Sequence, residues 1–176
     1  MHTVLNPTAL PDVPTEPGTY ALVLRCTMGR TIRVGRLGTM RLRPGYYVYI
    51  GSALGPGGLR ARIAHHLRRT KRPHWHIDYL RTHVRVGQLW YCCNSIRLEH
   101  HWAQVLGGAS GGFIARPGFG ASDCDCESHL YFFKRRPSPL LPPSEWKSSS
   151  TSWTHRAGGA SGGLKHAFSP VKAPPL

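Results

Sequence analysis

The chain has 176 residues, room for one compact domain and a further segment, and its 23 Lys and Arg against 8 Asp and Glu give a formal charge of +15. A balance that basic, with a sequence pI near 10.4, suits a polyanionic partner, nucleic acid above all. It comes with no apolar run of membrane-spanning length, and with five cysteines (Cys26, Cys92, Cys93, Cys124 and Cys126) whose odd count and close pairings do not match a secreted disulfide framework.

Residues 1–17 are punctuated by proline and show no charged-then-apolar leader, so an irregular lead-in and a reduced, cytoplasmic protein that engages no membrane are expected. Gly18 to Cys26 reads as the first strand, and Thr31 to Val34 as its hairpin partner across a turn at Met28-Gly29. Gly35 to Pro44 is a basic loop or a further strand. Gly45 to Ile50 is aromatic and β-branched, as a buried strand should be, and Gly51 with Gly55-Pro56-Gly57-Gly58 ends it. The next helix places Leu59, Ile63 and Leu67 in one apolar stripe, with Arg62 and His66 four residues apart on a different face beside it. A strand end carrying Tyr49 followed by a guanidinium and an imidazole is a cluster suited to a phosphate.

After the basic linker Arg68 to Pro73, residues 74–81 predict a short helix and Val84 to Cys92 a strand. Asn94 or Ser95 can cap a third helix, Ile96 to Leu106, with Glu99 one turn from Trp102 and Ala103. Gly107 to Gly112 and Pro117 to Gly120 read as loops, and Leu130 to Phe133 as a last short strand. Lys134 to Leu176 turns rich in Pro, Ser and Gly without apolar periodicity, so a disordered basic tail is expected there. The acids are as telling as the bases. Between Pro17 and Ser122 the carboxylates are Asp78 and Glu99 alone.

Gly18-Thr19-Tyr20 and Tyr49-Ile50-Gly51, followed by Leu59, Arg62 and His66 on one helix and Glu99 on a later one, resemble the GIY-YIG nuclease superfamily. The longer pattern, including residues 74–80 and Ser122-Asp123-Cys124-Asp125-Cys126, looks like a stand-alone prokaryotic subfamily of it. The resemblance covers residues 18–133. It implies an α+β fold, a small mainly antiparallel sheet flanked by helices, and metal-dependent endonuclease cleavage of phosphodiester bonds, with DNA as the expected partner. Thr19 stands where the family's name residue is Ile, a swap between β-branched side chains. The resemblance further implies catalytic roles for Tyr20, Tyr49, Arg62, His66 and Glu99, with Glu99 holding Mg²⁺ or Mn²⁺. Oxygen ligands, one or two of them carboxylates, suit such hard ions.

Each residue also has a plainer reading. The tyrosines can be core aromatics, Arg62 and His66 helix-surface groups, and Glu99 a solvated partner of nearby arginines. Cys124-x-Cys126-x-x-His129 supplies three ligands to which His74 or His76 could add a fourth for zinc; the same groups could simply brace the sheet edge. Arg33, Arg36, Arg41, Arg43, Arg60, Arg68 and Arg69 are expected to hold nucleic-acid phosphates without reading sequence. The alternatives to a nuclease are a non-catalytic nucleic-acid-binding module and a zinc-stabilised interaction domain.

Overall fold

Alternating side chains on two long strands divide the molecule into two cores. The computed structural model describes residues 13–68, 72–109 and 111–138. In chain order its elements are β1 (Gly18–Cys26), β2 (Arg30–Arg33), β3 (Thr39–Leu42), β4 (Gly45–Ala53), α1 (Gly58–Leu67), α2 (His76–Arg81), β5 (Arg85–Cys93), α3 (Glu99–Gly108), β6 (Gly112–Ile114) and β7 (Leu130–Phe133). A short 3-10 turn, Gly35–Leu37, joins β2 to β3.

The main sheet has five strands in the order β5-β1-β4-β7-β6, every pairing antiparallel. This is the α+β architecture expected. Tyr20, Leu22, Leu24, Tyr47 and Tyr49 point to one face, where α1, α2 and the β2–β3 hairpin supply Leu59, Ile63, Ile77, Leu80, Ile32 and Met40. Ala21, Val23, Val48 and Ile50 point to the other, covered by Trp102, Ala103 and Leu106 of α3. Burying each large apolar side chain contributes about 1.5–3 kcal/mol, so both faces of the central strands are held firmly.

The irregular residues 13–17 dock against α1. The carbonyls of Glu16 and Pro14 accept the Leu59 and Arg60 N–H groups, satisfying donors that the first helical turn cannot pair internally. Val13 is buried beside them.

Several local expectations change. β2 pairs with β3 in a separate two-stranded sheet, Ile32 facing Met40, and not with β1. Buried Ile32 on β2 and Met40 and Leu42 on β3 seat that hairpin against the core beside α2 instead of extending the main sheet. β4 runs through Gly51 to Ala53, because Gly51 lies within the β1–β4 ladder. α3 starts at Glu99; the Asn94 side chain accepts the Ile96 N–H in a turn before it. α3 continues through Gly108, and β6 follows at Gly112 where a loop was expected. The expected tail disorder, from residue 139 onward, lies outside the described residues.

Candidate functional site

Strand register brings the two motif tyrosines together. Tyr20 faces Gly51 and Tyr49 faces Leu22 across the β1–β4 ladder, which makes the tyrosines diagonal neighbours on one face, ring centroids 6.5 Å apart. Gly51 is needed there: a Cβ at that position would come within 2.5 Å of the Tyr20 hydroxyl. The Tyr20 hydroxyl meets Nε2 of His66 at 2.6 Å in a buried contact. His66 belongs to the buried stripe of α1 with Leu59 and Ile63, seven residues on from Leu59, while Leu67 is only half-buried. His66 therefore does not share a face beside the stripe with Arg62; it replaces an apolar residue in the stripe.

Behind His66 stands Asp78, 3% exposed, an acid that the motif pattern leaves out of the site. Its Oδ1 lies 3.8 Å from His66 Nδ1, an electrostatic contact too long for a hydrogen bond. Its Oδ2 accepts the backbone N–H groups of His74 and Trp75, each at 3.0 Å, which fixes the carboxylate on the first turn of α2. Buried Arg81 donates to the His66 carbonyl at 3.1 Å and to Val84 at 2.9 Å, tying α1 to α2. The Asp78 field favours the tautomer with the proton on Nδ1, in which Nε2 accepts the Tyr20 O–H.

Arg62 is half-buried and its guanidinium sits over the Trp75 ring, 4.4 Å from the centroid, a cation–π contact that orients the fork. Burial, then the neighbouring Tyr49, lifts the Tyr20 hydroxyl well above the ordinary phenol range; Arg62 opposes the rise, and Asp78 and Glu99 add to it. Burial likewise raises Tyr49, again with Arg62 opposing. Both phenols are thus neutral at ordinary pH, and both lie within electrostatic reach of Arg62, Asp78 and Glu99.

Glu99 opens α3, where the positive end of the helix dipole favours a carboxylate. It is 4% exposed, which removes the reading of a solvated surface glutamate. Oε1 lies 3.5 Å from Arg97 Nη1, while Oε2 is buried with no hydrogen-bond partner among the described residues. An unpaired buried carboxylate oxygen is costly, and a hard cation is one thing that offsets it. Asp78, with Oδ2 already accepting two backbone N–H groups, is the worse ligand of the two acids. Thr19 explains where α3 starts: its buried hydroxyl accepts the Leu98 N–H at 3.2 Å, immediately before Glu99.

A second cluster forms where the segment between β6 and β7 meets α3. His100, Cys124, Cys126 and His129 present ligand atoms that all lie within 4.8 Å of one another, a set that could hold a metal such as zinc. The fourth residue is His100, not His74 or His76. The His76 Nδ1 instead accepts the Gly120 N–H at 3.0 Å, and the His74 backbone serves Asp78. His100 lies 24 residues before Cys124, and only the packing of α3 brings it in. Burial, with a hydrogen bond that the Cys126 thiol donates to Cys124, pushes the Cys126 thiol up to about 11.

The basic residues divide by environment. Arg33, Arg36, Arg41, Arg43 and Arg68 are exposed. Arg60 is exposed too, but its Nε donates to the Val13 carbonyl at 2.7 Å, anchoring the lead-in. Arg69 lies outside the described residues. Among the described residues no helix is long and apolar enough to cross a membrane.

The chain matches the model of the family described as "Domain of unknown function DUF123" over residues 19–147, and belongs to that family. No curated protein and no solved structure matches it.

Proposed function

We propose that this DUF123 member is a metal-dependent endonuclease that hydrolyses phosphodiester bonds in nucleic acid, with DNA the first substrate to try. The observation that carries the reading is the chain of contacts Tyr20–His66–Asp78, with Arg62 and the buried carboxylate of Glu99 both within electrostatic reach of the two tyrosines and Glu99 Oε2 lacking a hydrogen-bond partner among the described residues. The motif resemblance to GIY-YIG nucleases supports it from the side of sequence.

In this reading Glu99 holds Mg²⁺ or Mn²⁺, its free Oε2 being the natural ligand atom. Such an ion, when bound, supplies positive charge to the phosphodiester and makes water more acidic. The chain's own residues do the rest. A buried phenol whose proton is held tightly is a poor base by itself. The 2.6 Å contact removes the difficulty: Tyr20 can take a proton from the attacking water while passing its own to His66 Nε2, so no buried phenolate need persist. The imidazolium then faces the Asp78 carboxylate, which stabilises it. Arg62, steadied by Trp75, offers its fork to the phosphate oxygens as charge accumulates. Tyr49 packs against Tyr20 and His66, its ring edge-on to the imidazole with centroids 6.0 Å apart.

The test is cleavage of plasmid DNA and of a structured RNA by the full chain with Mg²⁺ or Mn²⁺. Nicking that chelator stops is the expected result, and the nucleic acid cut identifies the substrate class. Binding without cleavage of either would instead support a nucleic-acid-binding module.

A further inference from the structure

The segment from Ala115 to His129 is long for a connection between two paired strands, and such connections need something to hold them. At its base Ala115 pairs with Leu130, Gly118 with Glu127, and Phe119 with His129, and the Phe119 ring is fully buried. Beyond Gly120 the tip supplies little apolar material. What it does supply is Cys124, Cys126 and His129, facing His100 on α3. We propose that these four residues form a closed, tetrahedral structural zinc site that fastens the tip of this segment to the first turn of α3.

The distances suit one ion. With zinc–sulfur bonds of about 2.3 Å and zinc–nitrogen bonds of about 2.0–2.1 Å, a tetrahedron sets sulfur and nitrogen ligands roughly 3.5 Å apart. His100 Nδ1 lies 3.1 Å from Cys126 Sγ, and Cys124 Sγ lies 3.5 Å from His129 Nε2. All four ligand atoms fall within 4.8 Å, too close for a cluster of two irons that divides cysteines and histidines between its metals. Two thiolates and two neutral imidazoles also match the borderline softness of zinc and are unlike the oxygen set expected around Glu99. Four protein ligands leave no open position, which makes the site structural and not catalytic. Its place in the fold gives it a consequence. His100 follows Glu99 directly, so the clamp would hold the helical turn that carries the proposed catalytic carboxylate.

The experiment is metal analysis of the full chain purified without chelator, together with the His100→Ala and Cys124→Ser variants. One zinc per chain is expected, and cobalt in its place should give the intense visible bands of a tetrahedral thiolate complex. Each variant should lose zinc affinity by more than the ~10–100-fold typical of removing an outer-shell partner. Should a variant fail to fold, the wild type still decides: titrating its thiols with a mercurial should release the zinc. Protein that carries no zinc, carries iron in its place, retains zinc undiminished in both variants, or joins Cys124 to Cys126 in a disulfide would overturn the assignment. Plasmid cleavage plays no part in this readout, so zinc without cleavage would count against the nuclease alone, and cleavage without zinc against the clamp alone.

Discussion

Thr19 makes the contact on which the position of Glu99 depends. Its buried hydroxyl accepts the N–H of half-buried Leu98, joining β1 to the residue before α3. In the motif the residue looks like a β-branched filler, and nothing local in the sequence distinguishes a packing threonine from one whose oxygen is used. Thr19→Val keeps the branch and the volume but strands that N–H, which should cost about 1–3 kcal/mol. Thermal unfolding should show a loss of several degrees, with Thr19→Ser much closer to wild type. A valine variant as stable as the wild type would mean the contact contributes nothing. Asp78 gives the same lesson from the other side. Its value lies in holding His66 and the start of α2 at once, and that juxtaposition exists only after α1 and α2 have packed.

At the scale of elements, the chain announces what alternation and turn chemistry can encode. β1, β7 and nearly all of α1 and β4 stand where strand composition, glycine turns and the 3.6-residue stripe put them. The failures are long-range. Whether Thr31 to Val34 joins β1 or folds onto α2 is settled by the burial of Ile32, Val34 and Met40, which no local pattern reports. His66 reads as a neighbour of Arg62 until packing turns it inward, and His100 cannot be matched to Cys124 from spacing. The tyrosine pair was legible because register on two adjoining strands is nearly as local as sequence. The β2–β3 hairpin carries a prediction of its own. Arg33 and Arg41 stand on its exposed face, opposite Thr39 and Thr31, while Ile32 and Met40 hold the inner one. Replacing both arginines with alanine should weaken nucleic-acid binding on all sequences alike and flatten its dependence on log salt by roughly 1.8, two phosphate contacts' worth. A slope unchanged in the double variant would take the hairpin out of the interface.

For the whole molecule, burial of phenols sets a limit on alkaline stability. Tyr20 and Tyr49 are raised by burial, as is Tyr47, and Tyr131 is pushed up to about 12 by burial and by Cys126. Above about pH 10 the unfolded chain releases phenolic protons that the folded chain retains. Stability is therefore fully present below that pH and falls as pH rises toward the folded values. Denaturant unfolding at pH 8, 10 and 11 should show the decline, and Tyr49→Phe, which keeps the ring, should make it shallower; an identical decline in the variant would contradict the assignment. The same burial that limits stability shapes the proposed site, since it places neutral phenols, one imidazole and a carboxylate oxygen without a partner among the described residues in a basic molecule. Glu99→Gln tests that arrangement most directly, because it preserves shape and burial while removing the ligand charge. Measured side by side with wild type on plasmid DNA in Mg²⁺ or Mn²⁺, the variant should bind as well or better and cleave slower by about 10³-fold or more. Undiminished cleavage by Glu99→Gln would contradict the account at its centre.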